Sequence, residues 1–182
     1  MKILETERLL LEQWDERHRA AWRLSCRDPE VMRFIGSGQV LDTKKADEGF
    51  DWMLSHWQEH DFGWRSVLDR ATGQWLGFVG LNFVTPELDG FAPDQVEIGW
   101  SLVRSAWGHG YTTEGGRPAR DEGFERVGLD RVVARLQPAN LASIRVAQKI
   151  GMSFEREASG LQCEALHIYL LDRSSWERQL PG

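Results

Sequence analysis

The sequence predicts an α/β protein of the α+β type: a mixed, mostly antiparallel sheet with helices on both faces. Three observations carry this. Extended segments follow one another at Gly63–Leu68, Gln74–Phe83 and Gln95–Val103, the first two joined by the turn-rich DRATG, as in a meander. A strand, glycine loop, helix, strand order follows from Gln95 to Gln137, and such a unit demands one parallel pairing. Earlier, Ala46, Phe50, Met53 and Trp57 recur at the spacing of an amphipathic helix.

In chain order, Arg8–Trp14 reads as the first strand, with its run of three leucines. Asp15–Cys26 is a short helix behind an acidic cap, and Asp28–Ile35 adds a turn or two before Gly36–Gly38 interrupts it. The amphipathic helix runs from Asp42/Thr43 to His60, the three strands follow, and Thr85–Asp94 is a loop. Tyr111–Val127 is helical, Arg131–Gln137 a β-branched strand, and Asn140–Ile150 a helix closed by Gly151. Met152–Ala158 and Ala165–Asp172 supply two last strands. Pro118 lies about two turns into its helix, after Gly115 and Gly116. An interior proline removes a backbone bond and costs about 3 kcal/mol, so a kink is expected there. Gly116, Ala119 and Gly123 would let that helix lie close on the sheet.

Length and composition fit one domain spanning 1–182 with a single core. Hydrophobic residues make 41% and charged residues 27%, which indicates neither disorder nor a membrane span. Charged residues at Glu5, Glu7 and Arg8 precede any signal-peptide core, and Cys26 and Cys163 suggest no disulfide framework. A cytoplasmic protein is expected. The net charge of −6 and the lack of a dense Lys/Arg block argue against nucleic acid as the main partner. An anionic ligand is not excluded, because backbone N–H groups and a helix dipole can bind phosphate. The nine tryptophans read mainly as packing residues.

The most informative stretch is EIGWSLVRSAWGHGYTTEG, Glu97 to Gly115. Gly108 and Gly110 let the backbone approach a ligand and turn several N–H groups one way, at the positive end of the following helix. That is an anion site suited to a pyrophosphate, although a bare Gly-x-Gly also serves many ordinary turns. Two other phosphate loops are excluded. The dinucleotide fingerprint needs a third glycine where Thr113 stands, and the nucleoside-triphosphate loop needs Gly-Lys-Ser/Thr, which does not follow.

With GLDRVVARLQPANLASIRVAQKIGM (Gly128–Met152) and the opening ETERLLL (Glu5–Leu11), the chain resembles the GNAT superfamily of acyl-CoA N-acyltransferases. The branch it looks most like is that of the ribosomal-protein N-terminal acetyltransferases. The resemblance implies a GNAT-like sheet whose parallel pair, Gln95–Val103 and Arg131–Gln137, splays apart to admit acetyl-CoA. It places Trp107, Gly108, His109, Gly110, Tyr111 and Thr112 in the pyrophosphate loop. Trp107 stands where the superfamily usually has Gln or Arg, and Thr112 where it has Gly or Ala. Trp100, Ser101 and Leu102 fall where the splayed strand offers backbone groups to pantetheine. Asn140 matches an asparagine that touches the cofactor arm, though after Pro138 it is equally a good helix N-cap.

Amine acylation requires a neutral amine, so an alkyl ammonium must first lose a proton. Glu97, on the central strand, is the first candidate base. A solvent-facing edge residue is the competing reading. Glu164, in the last hairpin, is the second candidate. Ser143 shares a helix face with Val146, Ala147 and Ile150, so its hydroxyl either back-bonds to a carbonyl or points at a ligand. In the resembling branch a serine here stabilises the departing thiolate. Much of the superfamily has an acid tyrosine where this chain has Ala147. His109 and His167 titrate near neutrality but fall in loop and strand positions.

The expected reaction is transfer of acetyl from acetyl-CoA to a primary amine, with no metal. The acceptor would be a small molecule or a protein N-terminus, bordered by Phe34–Asp42, the helix bearing Phe50 and Trp57, and the hairpin Glu155–Glu164. Neither nucleic acid nor membrane is expected as a partner, and a homodimer is left open. The competing expectation is a CoA-binding module with little or no transferase activity.

Overall fold

A computed structural model describes residues 3–84, 91, 92, 94–159 and 165–180. Eight strands form one sheet: β1 (Leu4–Glu5), β2 (Leu9–Glu12), β3 (Trp64–Asp69), β4 (Trp75–Phe83), β5 (Val96–Leu102), β6 (Arg131–Leu136), β7 (Ser153–Ala158) and β8 (Leu166–Asp172). Their spatial order is β1-β2-β3-β4-β5-β6-β8-β7. All neighbours are antiparallel except β5 and β6, so the expected fold class holds.

The helices are α1 (Arg19–Cys26), α2 (Pro29–Met32), α3 (Thr43–His60), α4 (Tyr111–Glu122), α5 (Leu141–Lys149) and α6 (Arg173–Glu177). Asp42 caps α3 by accepting from the Lys45 N–H at 2.8 Å. Ala46, Phe50, Met53 and Trp57 are buried on its inner face, each large side chain contributing about 1.5–3 kcal/mol. Trp14, Phe78 and Trp64 pack against this face of α3. On the opposite side of the sheet, Leu9, Leu11, Val79, Leu81 and Ile98 meet Ala119, Phe124 and Ala147.

Several boundaries differ from the sequence expectation. The helix expected over Asp15–Cys26 begins as a 3-10 turn at Glu16–His18, where Asp15 and His18 form a capping box, and becomes α-helical at Arg19. The segment Asp28–Ile35 supplies only the single turn of α2. The two-residue β1 and the C-terminal α6 were not expected.

The helix of Pro118 also runs differently. It continues past the proline to Glu122 and then widens into a π turn, Gly123–Val127, ended by Gly128 at φ 81°. The irregularity thus falls after the proline, where Gly123 packs on the sheet. A Cβ at Gly115 would stand 3.2 Å from Val79 Cγ1, and one at Gly123 3.2 Å from Leu81 Cδ1, so close helix–sheet approach is what the glycines provide. Glu122 closes the helix with a buried pair to Arg65 of β3, at 2.9 Å for Nε–Oε2 and 2.5 Å for Nη2–Oε1.

Candidate active site

β5 pairs with its antiparallel partner β4 along a ladder running from Gly77↔Leu102 to Phe83↔Val96. Its other neighbour, β6, meets it in register at Glu97↔Val133 alone. Towards Leu102 and Leu136 no ladder joins the two strands, which leaves a wedge with Glu97 at its closed end. Beyond Glu97 the backbone groups on that side of β5 have no ladder partner in β6.

At the open end the chain makes a 3-10 turn, Arg104–Ala106, and enters the glycine loop. Trp107 anchors the loop to the strand it left: its indole N–H donates to the Leu102 carbonyl at 2.7 Å. Gly108 and Gly110 both hold left-handed backbones, at φ 79° and 80°, a conformation that favours glycine. Gly110 is the N-cap of α4 and offers no side-chain cap. The first intrahelical bond there runs from Glu114 N–H to Gly110 O, at 3.0 Å. The N–H groups of Tyr111, Thr112 and Thr113 therefore lack helical partners. A Cβ at Gly108 would meet nothing within 4 Å, so the loop is open above. An open, uncapped, positively polarised helix end fits a pyrophosphate.

The N-terminal hairpin braces this end of α4. Glu114 accepts from Thr6 Oγ1 at 2.6 Å, from the Arg8 backbone N–H at 2.9 Å and from Arg8 Nε at 2.7 Å. Burial pushes the Glu114 carboxyl up, but these bonds together outweigh it and hold it below the usual carboxylate range. The Arg8 guanidinium lies 4.6 Å over the Tyr111 ring, and His109 stacks on Tyr111 with centroids 5.6 Å apart.

Across the wedge, α5 brings Ser143 to Trp100: the indole N–H donates to Ser143 Oγ at 3.2 Å. The hydroxyl uses a lone pair there and keeps its own proton to donate elsewhere. Asn140 acts as the helix N-cap, its Oδ1 accepting from the Ser143 N–H at 3.2 Å.

Glu97 is not a solvent-facing edge residue, because β5 lies inside the sheet and the side chain is buried. Both its oxygens take the fork of Arg135, at 2.6 Å from Nε and 2.8 Å from Nη2. The register explains the pair: Val133 faces Glu97 in β6, and Arg135 lies two residues on, on the same side of the strand. Each oxygen retains a second lone pair for an acceptor N–H.

Other expected positions separate from this group. Glu164 and Cys163 lie outside the described residues, with part of the Glu155–Glu164 hairpin. His167 lies in β8, beside Phe154, and His109 lies in the loop. Phe50 and Trp57 point into the core, so the side of α3 that borders the wedge face of the sheet is that of Trp52 and His56. Cys26 is buried, which pushes its thiol up to about 12 and leaves it unreactive. Among the described residues no helix is long and apolar enough to cross a membrane.

A splayed parallel pair fed by an uncapped glycine loop is the arrangement that the resemblance to acyl-CoA N-acyltransferases implies, and comparison agrees. The family model described as "Acetyltransferase (GNAT) domain" matches residues 8–153, and the chain belongs to that family. It is an acetyltransferase. The protein YkkB of Bacillus subtilis is 30% identical over 154 residues, covering 84% of this chain and 86% of that one. The FsC-acetyl coenzyme A-N(2)-transacetylase of Aspergillus fumigatus is 27% identical, covering 96% and 78%. Among solved structures, an acetyltransferase from Agrobacterium tumefaciens superposes with a TM-score of 0.80 at 27% identity, covering 95% of each chain.

Proposed function

We propose that the chain moves an acetyl group from acetyl-CoA to a primary amine by direct attack. The observation that carries this is the wedge between β5 and β6, which opens at uncapped N–H groups and closes at a buried carboxylate. The fungal transacetylase's name, with acetyl coenzyme A as donor and a nitrogen as acceptor, supports the same chemistry.

In this reading the N–H groups of Gly108–Thr112 hold the pyrophosphate, with Trp107, His109 and Tyr111 shaping the loop. The backbone of Trp100, Ser101 and Leu102 lines the pantetheine, though the Leu102 carbonyl already accepts one indole N–H. Asn140 reaches the cofactor arm from its capping position. Glu97 takes a proton from the acceptor ammonium, directly or through water. The neutral nitrogen then attacks the thioester carbon, β5 backbone N–H groups stabilise the oxyanion, and the C–S bond breaks. Ser143, its oxygen held by Trp100, points its proton at the departing sulfur.

The whole chain is then one cytoplasmic catalytic domain, acting without metal, nucleic acid or membrane, and a homodimer is compatible with it. The likeness of ETERLLL and WGHGYTTEG to the ribosomal-protein branch favours a protein N-terminus among the acceptors. A CoA-binding module without activity has one observation in its favour, the buried Ala147 where an acid would stand. Thiol release from acetyl-CoA with a panel of primary amines decides. Amine-dependent release is expected, and CoA binding without release from any amine would favour the module.

A further inference from the structure

Among the described residues, three buried polar side-chain atoms have no hydrogen-bond partner: His56 Nε2, Trp64 Nε1 and Asn82 Oδ1. Each such atom costs about 1–3 kcal/mol, and native proteins keep few of them without a reason. None of the three belongs to the machinery described above, but Trp64 and Asn82 face β5, the strand that carries Glu97, and His56 reaches them through Trp52. The strand register sets Trp64 opposite Gly80, Gly80 opposite Gly99, and Asn82 opposite Glu97. Directly opposed residues of antiparallel strands have Cβ atoms about 5 Å apart, so Asn82 lies beside the carboxylate at the closed end of the wedge. The Trp64 indole nitrogen stands 3.0 Å from where a Cβ of residue 99 would be, so the bare Gly99 is what lets the indole lie against β5. Trp52 joins the group, 6.0 Å from the Trp64 ring and 5.1 Å from His56. Phe62 and Phe83 wall the far side of His56, at 5.4 and 5.8 Å.

The chemistry of the trio is specific. Asn82 Oδ1 only accepts. Burial, reinforced by His60, pushes the His56 pKa down to about 4, so at neutral pH its ring is uncharged, and Nε2 is an acceptor when the ring proton sits on Nδ1. The Trp64 N–H only donates. A primary amine supplies donors for the two acceptors, but its one lone pair is committed to the attack, so the indole needs a further acceptor such as a neighbouring oxygen.

We propose that these three atoms recognise the acceptor, which is an amine bearing a carbonyl or hydroxyl oxygen on the neighbouring carbon: an α-amino carbonyl or a 1,2-amino alcohol. The inference rests on the transferase reading.

The test measures kcat/KM for glycinamide, 2-aminoethanol and propylamine, at saturating acetyl-CoA, in the wild type and in Trp64→Phe and Asn82→Leu. The wild type should prefer one or both oxygen-bearing amines by at least about tenfold. Trp64→Phe keeps an aromatic ring and removes one unsatisfied donor, and it should erase most of that preference. The amines differ in pKa, but that difference cancels when the ratio is compared between variants. Asn82→Leu should slow all three amines by about tenfold. Gly99→Ala, whose methyl would press on the indole nitrogen at 3.0 Å and push the ring aside by a few tenths of an ångström, should lower the same preference while keeping the indole N–H. Acetyl-CoA affinity by calorimetry should stay within about twofold throughout.

Equal rates for propylamine and the oxygen-bearing amines in the wild type would overturn the inference alone. So would a Trp64→Phe variant that slows all three amines alike, since the N–H would then serve the acyl group. A wild type that binds acetyl-CoA but acetylates no amine would remove the transferase reading, and this inference with it.

Discussion

Gly110 offers the sharpest test of the cofactor loop, because the structure separates two reasons for a glycine there. Its backbone is left-handed, at φ 80° and ψ 2°, which costs a residue with a side chain about 1–2 kcal/mol. Space within the protein is not the obstacle: a Cβ would meet its nearest neighbour, Arg8 Nη2, at an ordinary 3.7 Å. Gly110→Val should therefore act through the backbone. The turn leaves the left-handed region, the N–H groups of residues 111–113 lose their common aim, and CoA binding weakens at least tenfold, about 1.4 kcal/mol. Asparagine tolerates this conformation better than most residues, so Gly110→Asn should stay within about threefold of the wild type. Calorimetric titration with CoA reads both variants. Unchanged affinity in Gly110→Val would reduce the loop to a turn. Equal losses in Val and Asn would refute the backbone argument and leave ligand clearance as the cause.

Glu97→Gln should lower kcat by about 10² with acetyl-CoA affinity nearly intact; if activity survives there and is lost in Glu164→Gln, the base lies in the last hairpin. Ser143→Ala should lower kcat by about tenfold and raise KM for acetyl-CoA less, whereas a serine that only receives the Trp100 indole bond would leave both nearly unchanged. The His56 pKa is depressed in the folded state, so the unfolded chain takes up a proton first as pH falls. Its stabilising contribution is complete above about pH 6.5 and is lost on acidification towards pH 4. Thermal melts across that window should show a shallower decline in His56→Phe than in the wild type, and parallel curves would refute the assignment.

Much of this was legible because it is written in local signals. The periodic Ala46, Phe50, Met53 and Trp57, the Asp42 cap and the two loop glycines each determine their own structure within a few residues. β1 was not legible: two residues carry no periodicity, and they are held by pairing with Leu10 and Leu11. The Glu97–Arg135 pair joins residues 38 apart and depends on the register of the parallel pairing of β5 with β6, which no local pattern encodes. The acceptor-side trio left one trace, Asn82 within the apolar run WLGFVGLNF. Its meaning needed the cross-strand partner Glu97 and the neighbouring glycines to be known.

The placement of β8 between β6 and β7 bears on how the protein is made. β7 leaves the ribosome before β8, its one strand partner among the described residues, and β6 keeps a bare edge until residues 166–172 have emerged. The nascent chain can assemble β1 to β5 early, but the strand that carries Arg135 stays half-paired until β8 has been made. A premature stop before β8 would thus leave the apolar β6 (RVVARL) with a bare edge, a template for aggregation rather than a shorter enzyme.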